Sequence, residues 1–259
     1  MIVTLFIVFL SMLILNDATG TGSCADKLIQ RLQRLRDRCG FAPTHILDVG
    51  ANEGKWSMEV KNNVFPNAQY FMIEGNTQCS SALSEHKWAT YEIALVGKEV
   101  TNITFFTING GSCGKGTGNG IFRETSRHYV NAVEETRTLN TIDRIVLSKN
   151  FGPVQFMKLD IQGAEVPALL GAFKTLEHVE VLFTEAPIAN YNENAPGYFK
   201  LMHTIHHLGF DMFDITDLSY DNAQDLLLQF DIIWVKRTSS LWGEKCTGYP
   251  PRRYSNFTD

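Results

Sequence analysis

The sequence predicts an α/β fold: a mostly parallel sheet with helices on both faces. Three observations carry this. The apolar run Ile46 to Val49 ends in the turn Gly50-Ala51-Asn52-Glu53-Gly54, and a helical stretch follows. Strand-like and helix-like stretches then alternate to about residue 95, the pattern of βαβ units. The chain has 259 residues, 44% hydrophobic and 20% charged, enough to bury the core of one domain of usual size.

The first element is not part of that domain. Met1 to Leu15 holds only Thr4 and Ser11 as polar residues. As a helix at ~1.5 Å per residue it reaches roughly 23 Å, short of the ~30 Å bilayer core. Ala18 and Gly20 follow with the spacing of a signal-peptidase site, so residues 1–20 read as a signal peptide, or an uncleaved signal anchor. The only membrane contact expected is through this segment, if it is uncleaved. A secretory route follows, with the endoplasmic reticulum or Golgi lumen, or secretion, as destination. The sequons Asn102-Ile-Thr104 and Asn256-Phe-Thr258 fit that route. Five cysteines are present and none forms a Cys-x-x-Cys pair. Their pairing is not readable, and the odd count leaves at least one free or intermolecular.

Residues 21–43 read as a linker and an N-terminal helix. Leu28, Ile29, Leu32 and Leu35 share one face, and Arg31, Arg34, Arg36 and Arg38 lie elsewhere. Packing on the sheet with a solvated basic face outweighs a membrane-surface role. The main domain is expected over 44–237. Its strands are 45–49, 69–73, 89–95, 100–108, 133–139, 156–161, 179–183, 210–215 and 230–235. The last two form a closing edge hairpin. Helices fall near 54–63, 77–86, 140–149, after Pro167, and over 199–208. The tail 238–259 reads as irregular. The glycine-rich stretch Asn109 to Gly120 lacks the P-loop spacing and reads as a surface loop, with a lid as the alternative. His203 and His207 have metal-like i,i+4 spacing, but they fall opposite the apolar face of Leu201, Ile205 and Leu208. No metal site is predicted there. Net charge is -5 with no basic block, so no nucleic-acid partner is expected.

The turn after the first strand points to a ligand. In an open α/β sheet, nucleotide-like ligands bind beyond the C-terminal ends of such strands. A dinucleotide fingerprint wants a middle glycine where this chain has Asn52, and Asp48 and Glu53 would repel phosphate. A cationic ligand without phosphate, such as S-adenosylmethionine, fits better. Glu74 ends the next apolar run, roughly 20 residues on, where an acid accepts both ribose hydroxyl protons. Later, Lys158 and Asp160 lie two apart on one face of an apolar strand, where charge is costly unless paired or functional.

Together, Asp48-Val-Gly-Ala-Asn-Glu-Gly54, Glu74-Gly-Asn76, Thr138-Leu139-Asn140, Lys158-Leu-Asp160-Ile-Gln-Gly163-Ala-Glu165 and Glu185 resemble the FkbM-type S-adenosylmethionine-dependent methyltransferases. The resemblance covers about Thr44 to Arg237. Its most specific part is the Lys-x-Asp-x-x-Gly-x-Glu motif; Asn140 departs from a frequent Asp. It implies a Rossmann-like class I methyltransferase sheet of seven strands, order 3-2-1-4-5-7-6, with strand 7 antiparallel. It also implies methyl transfer to a hydroxyl, often on a glycan or a sugar-containing metabolite. On that basis Asp48, Gly50, Asn52, Gly54, Glu74 and Asn76 are the expected cofactor residues. Asp160 is expected at the acceptor hydroxyl or the methionine ammonium, acting as a base if its pKa is raised, with Lys158 orienting it or stabilising negative charge on the acceptor oxygen; Glu165 and Glu185 are weaker candidates. A divalent metal between Asp160 and Glu185 is an alternative and is not predicted. The other class of reading is a catalytically silent methyltransferase-like binding module.

Overall fold

The computed structural model describes residues 24–108, 112–114, 118–125, 132–221 and 225–250. The expected leader, the sequon at Asn256, the end of the tail and parts of the glycine-rich stretch lie outside them. Among the described residues, no helix is long and apolar enough to cross a membrane.

Among the described residues, ten strands form two sheets. The main sheet contains β1 (His45–Val49), β2 (Gln69–Glu74), β3 (Ala89–Ile93), β7 (Phe156–Leu159), β8 (Val181–Pro187), β9 (Phe210–Asp221) and β10 (Leu226–Lys236). Their spatial order is β3-β2-β1-β7-β8-β10-β9. Counted among the sheet's own strands this is 3-2-1-4-5-7-6, with β10 antiparallel to both β8 and β9. The chain numbering jumps because β4 (Leu95–Val96), β5 (Thr101–Thr107) and β6 (Val133–Asn140) intervene and form a separate three-stranded sheet, order β4-β6-β5. The strands expected over 100–108 and 133–139 thus pair with each other and leave the main sheet as a seven-stranded unit.

The sheet is buried on both faces, which explains why β1 and β7 read as almost unbroken apolar runs. Successive side chains alternate between faces. Leu47, Val49, Met157 and Leu159 join one core. Helices α4 (Ile142–Ser148), α5 (Glu165–Leu170), α6 (Phe173–Leu176) and α7 (Tyr198–His207) cover it through Ile142, Ile145, Leu169, Leu176, Leu201 and Ile205. Ile46, Phe156, Val181 and Phe183 point the other way. There they meet α1 (Cys24–Asp37), through Leu28, Leu32 and Leu35, and α2 (Lys55–Asn63), through Val60. The remaining short helices are α3 (Ser80–Glu85) and α8 (Glu244–Thr247).

Three arginines of α1 bond to other parts of the chain. Arg36 donates to the carbonyls of Asn63 and Val64, Arg34 donates to that of Cys246, and Arg31 pairs with Asp214 at 3.2 Å. The tail expected to be irregular carries a 3-10 turn at Ser240–Trp242 and then α8. Leu241, Trp242 and Cys246 are buried against the α1 face, and Cys246 is disulfide-bonded to Cys39. His203, His206 and His207 lie on the exposed side of α7. Among the described residues, no group of three or more His, Cys, Asp or Glu side chains is arranged to hold a metal ion.

Leu47 is fully buried at the centre of the sheet. Leu47→Ala is therefore expected to destabilise the fold by about 2–5 kcal/mol, read from the urea midpoint at constant m value. A change near zero would contradict the placement of β1 in the core.

Candidate active site

The charged groups of the site arise from strand register. Asp48 and Lys158 are direct partners in the parallel β1–β7 pairing, so their side chains leave the sheet on the same face. The Lys158 ammonium lies 3.1 Å from Asp48 Oδ1 and 3.5 Å from Asp160 Oδ2, and it donates to the Gly50 carbonyl at 2.9 Å. The second Asp48 oxygen accepts from Ser57 Oγ at 2.6 Å. Asp48 is wholly buried, and the Lys158 side chain nearly so. Burial works against the charge on Lys158, but Asp48 and then Asp160 outweigh it, so the ammonium titrates above its ordinary range. The group stays a cation at any working pH.

Beyond the strand ends the backbone turns tightly. Gly50 has φ +83°, and a Cβ there would sit 1.8 Å from the Asp160 carbonyl oxygen. Any larger residue would push the β1 turn off the β7 turn. Gly54 and Asn52 are also left-handed, at φ +76° and +50°. On the β7 side, Gln162 and Gly163 take φ +55° and +91°. Glu165 steadies this turn by accepting the Ile161 N–H at 2.9 Å.

Glu74 ends β2 beside this turn. Its two oxygens accept the N–H groups of Asn52 and Asn76, each at 2.7 Å. Burial pushes its carboxyl upward, while those two amides and the more distant Lys158 oppose the shift. Each carboxylate oxygen has a further lone pair for a ligand donor.

These elements wall a cavity of about 990 Å³, a size that suits a small molecule with a cofactor. Gly50, Asn52, Glu74, Asn76, Asp160 and Glu185, all expected from the sequence, line it. Asp48 and Gly54 do not; one is buried beneath the turn and the other starts α2. Lys158 lines a smaller adjoining cavity that shares Gly50, Asn52, Asp160 and Glu185 with the first. Leu95, Phe105 and Ile121 give the main cavity an apolar wall from the small sheet and the segment between β5 and β6.

The opposite wall holds residues that the motifs did not flag. The Tyr191 hydroxyl donates to Gln229 Oε1 at 2.6 Å, and Gln229 Nε2 donates to Glu185 Oε1. Asp231 faces Glu185 across the antiparallel β8–β10 pair. Burial, and then the charge of Asp160, hold the Glu185 carboxyl well above its ordinary value. The same causes push Asp231 up to about 7. The signal available in the sequence was the polar Gln229 and Asp231 inside an apolar strand, two residues apart and thus on one face.

Two outcomes test this arrangement. Lys158→Met leaves Asp48 buried with Ser57 alone and should cost about 3–5 kcal/mol in denaturant unfolding. Glu165 moves from its ordinary 4.5 up to about 7, chiefly by burial. The folded state then binds the extra proton between those values, so wild-type stability should fall as pH rises through that window. Glu165→Gln should flatten that slope by on the order of 1–3 kcal/mol, measured as unfolding free energy against pH.

The model of the methyltransferase FkbM domain matches residues 48–212, more than half of the chain. Among curated proteins, none matches it in sequence. Solved structures with a similar course of chain include the O-methyltransferase from Bacillus cereus in complex with S-adenosylhomocysteine. It is 10% identical, with 85% of this chain and 84% of that one covered, at a TM-score of 0.46. The magnesium protoporphyrin IX methyltransferase from Synechocystis, with bound S-adenosylmethionine, is 7% identical, with 82% and 77% covered and a TM-score of 0.46. The O-methyltransferase of tomaymycin synthesis from Streptomyces achromogenes, also with S-adenosylmethionine, is 13% identical, with 84% and 82% covered and a TM-score of 0.44. With its residues 48–212 matched and the family's strand-end motifs gathered on one cavity, the chain belongs to the FkbM methyltransferase family.

Proposed function

We propose that this chain transfers the methyl group of S-adenosylmethionine to a hydroxyl oxygen of a glycan or sugar-containing metabolite. The observation that carries the cofactor is Glu74, a carboxylate at the cavity wall with both oxygens fixed by backbone amides. That geometry suits a pair of ribose hydroxyls. Gly50 and Asn52 would flank the amino-acid end, and the apolar wall of Leu95, Phe105 and Ile121 would take the purine. When bound, the cofactor supplies an electrophilic methyl group on a sulfonium.

The protein's contribution is positioning and charge. Fixing two reactants in line gains a large effective molarity. Asp160 has a side chain 40% exposed and is oriented by Lys158, so it is free to accept a hydrogen bond from the acceptor hydroxyl. Lys158 also places positive charge near the oxygen as its proton leaves. Glu185, held well above its ordinary carboxylate range by burial and with one oxygen held by Gln229, is suited to receive that proton once it is ionised. Neutral polyhydroxylated acceptors suit a cavity lined by hydrogen-bond acceptors such as Asp160, Glu185 and Gln229.

We also place the chain in the secretory route. The disulfides Cys39–Cys246 and Cys79–Cys113 support an oxidising compartment, and Asn102 of the first sequon is exposed on β5. A mobility shift on enzymatic deglycosylation, lost in Asn102→Gln, would test the sequon.

Calorimetric titration of the full chain with S-adenosylhomocysteine tests the cofactor. Micromolar binding is expected, weakened at least about tenfold in Glu74→Ala, the order of two lost hydrogen bonds. A folded chain that does not bind would overturn the reading. Activity is then read as S-adenosylhomocysteine release with a panel of neutral, amino and acidic sugars. The rate should rise with pH along a limb above the ordinary carboxylate range, because the base must lose its proton. Glu185→Gln should remove that limb. Binding without turnover on any hydroxyl acceptor would mark a binding module.

A further inference from the structure

Two turns grip Glu74, and one further segment grips both turns. Asn52 belongs to the turn after β1 and Asn76 to the turn after β2. Asn76 also caps the 3-10 turn Thr77–Cys79: its side chain accepts the Gln78 N–H at 3.0 Å, and its carbonyl accepts the Cys79 N–H at 3.1 Å. Cys79 is buried, lines the main cavity, and is disulfide-bonded to Cys113. The next residue, Gly114, donates its N–H to Asn52 Oδ1 at 3.0 Å. The path Glu74, Asn76, Cys79, Cys113, Gly114, Asn52 and back to Glu74 is therefore closed by one disulfide and a few hydrogen bonds around the carboxylate.

Gly114 carries an independent mark in its backbone. Its φ is +77°, and a Cβ there would sit 2.5 Å from Glu53 Oε1. The left-handed backbone is what calls for glycine here, since the Glu53 carboxylate is the far end of a flexible side chain. Within the glycine-rich stretch, then, residues 113 and 114 have a defined task that the spacing of its glycines does not show.

We propose that Cys113 and Gly114 are cofactor-positioning residues: they lock the two turns around Glu74 and thereby fix the carboxylate that receives the ribose hydroxyls. This rests on the cofactor reading above. A dithiol reductant converts the Cys79–Cys113 disulfide to two thiols and is itself oxidised to a cyclic disulfide. The pocket that remains has to be ordered by the ligand, which lowers affinity.

The experiment is calorimetric titration of S-adenosylhomocysteine into the oxidised full chain, Cys79→Ser/Cys113→Ser, Gly114→Ala, and Cys39→Ser/Cys246→Ser as control. Thermal melts of each ligand-free protein run beside it. The first two variants are expected to bind about tenfold more weakly, the order of ordering one or two loop segments. The control should melt lower and bind as the wild type does. A purely structural role for Cys113 would lower the melting temperature and leave affinity unchanged, and that result overturns the proposal. Gly114→Ala keeps the disulfide and decides the matter if the double serine variant does not fold: wild-type affinity there overturns the proposal too. Equal loss in the control would show a global effect and also overturn it. If the wild type binds nothing, the cofactor reading itself has failed and the proposal falls with it.

Discussion

The pairing of Lys158 with Asp48 is the constraint on which the rest of the site depends. Taking an ammonium and a carboxylate out of water costs several kcal/mol per ion, and only good geometry with further hydrogen bonds recovers it. Here the Gly50 carbonyl, the Ser57 hydroxyl and Asp160 complete the set, and the Trp56 ring lies 5.7 Å from the ammonium. Each partner sits on a different part of the chain. The ion pair therefore ties β1, the turn after it, α2 and the β7 turn to one point. The packing of Gly50 on the Asp160 carbonyl follows from that tie, since it brings the two strand ends within direct contact.

A second consequence is the sign of the field in the cavity. Period-two alternation and register put Asp48, Lys158, Glu185 and Asp231 on one face of the sheet, with Asp160 just past the strand end. One ammonium is shared among these carboxylates. Burial and mutual repulsion then push the protons of Glu185 and Asp231 upward, while the carboxylates nearest Lys158 stay bound to it.

Much of the parallel half of the fold was legible in the sequence, because β1, β2, β7 and the start of β8 are short apolar runs ending in glycine or acid. Glu74 and Asp160 could be singled out as charge at a strand end. Other features depended on contacts distant in sequence. Nothing near Asp48 indicates that Ser57 caps it or that Lys158, 110 residues on, neutralises it. Strand β9 extends well past its apolar stretch, since its outer half carries exposed and polar residues, and β10 begins at Leu226 with Gln229 and Asp231 breaking its alternation. Residues 101–107 and 133–140 show strand propensity, but propensity does not say which sheet a strand joins. The cysteine pairings were likewise invisible until the elements were placed.

The Cys39–Cys246 bond joins the end of α1 to α8 across 207 residues of sequence. Nearly the whole domain thus lies inside one covalently closed ring. A load applied to the two ends of the chain, as by a tether on one side and a partner on the other, would pass through this sulfur bridge. The strands and the cavity inside the ring would be mechanically shielded. A single backbone cut in an exposed loop between Cys39 and Cys246 would likewise leave the two fragments joined.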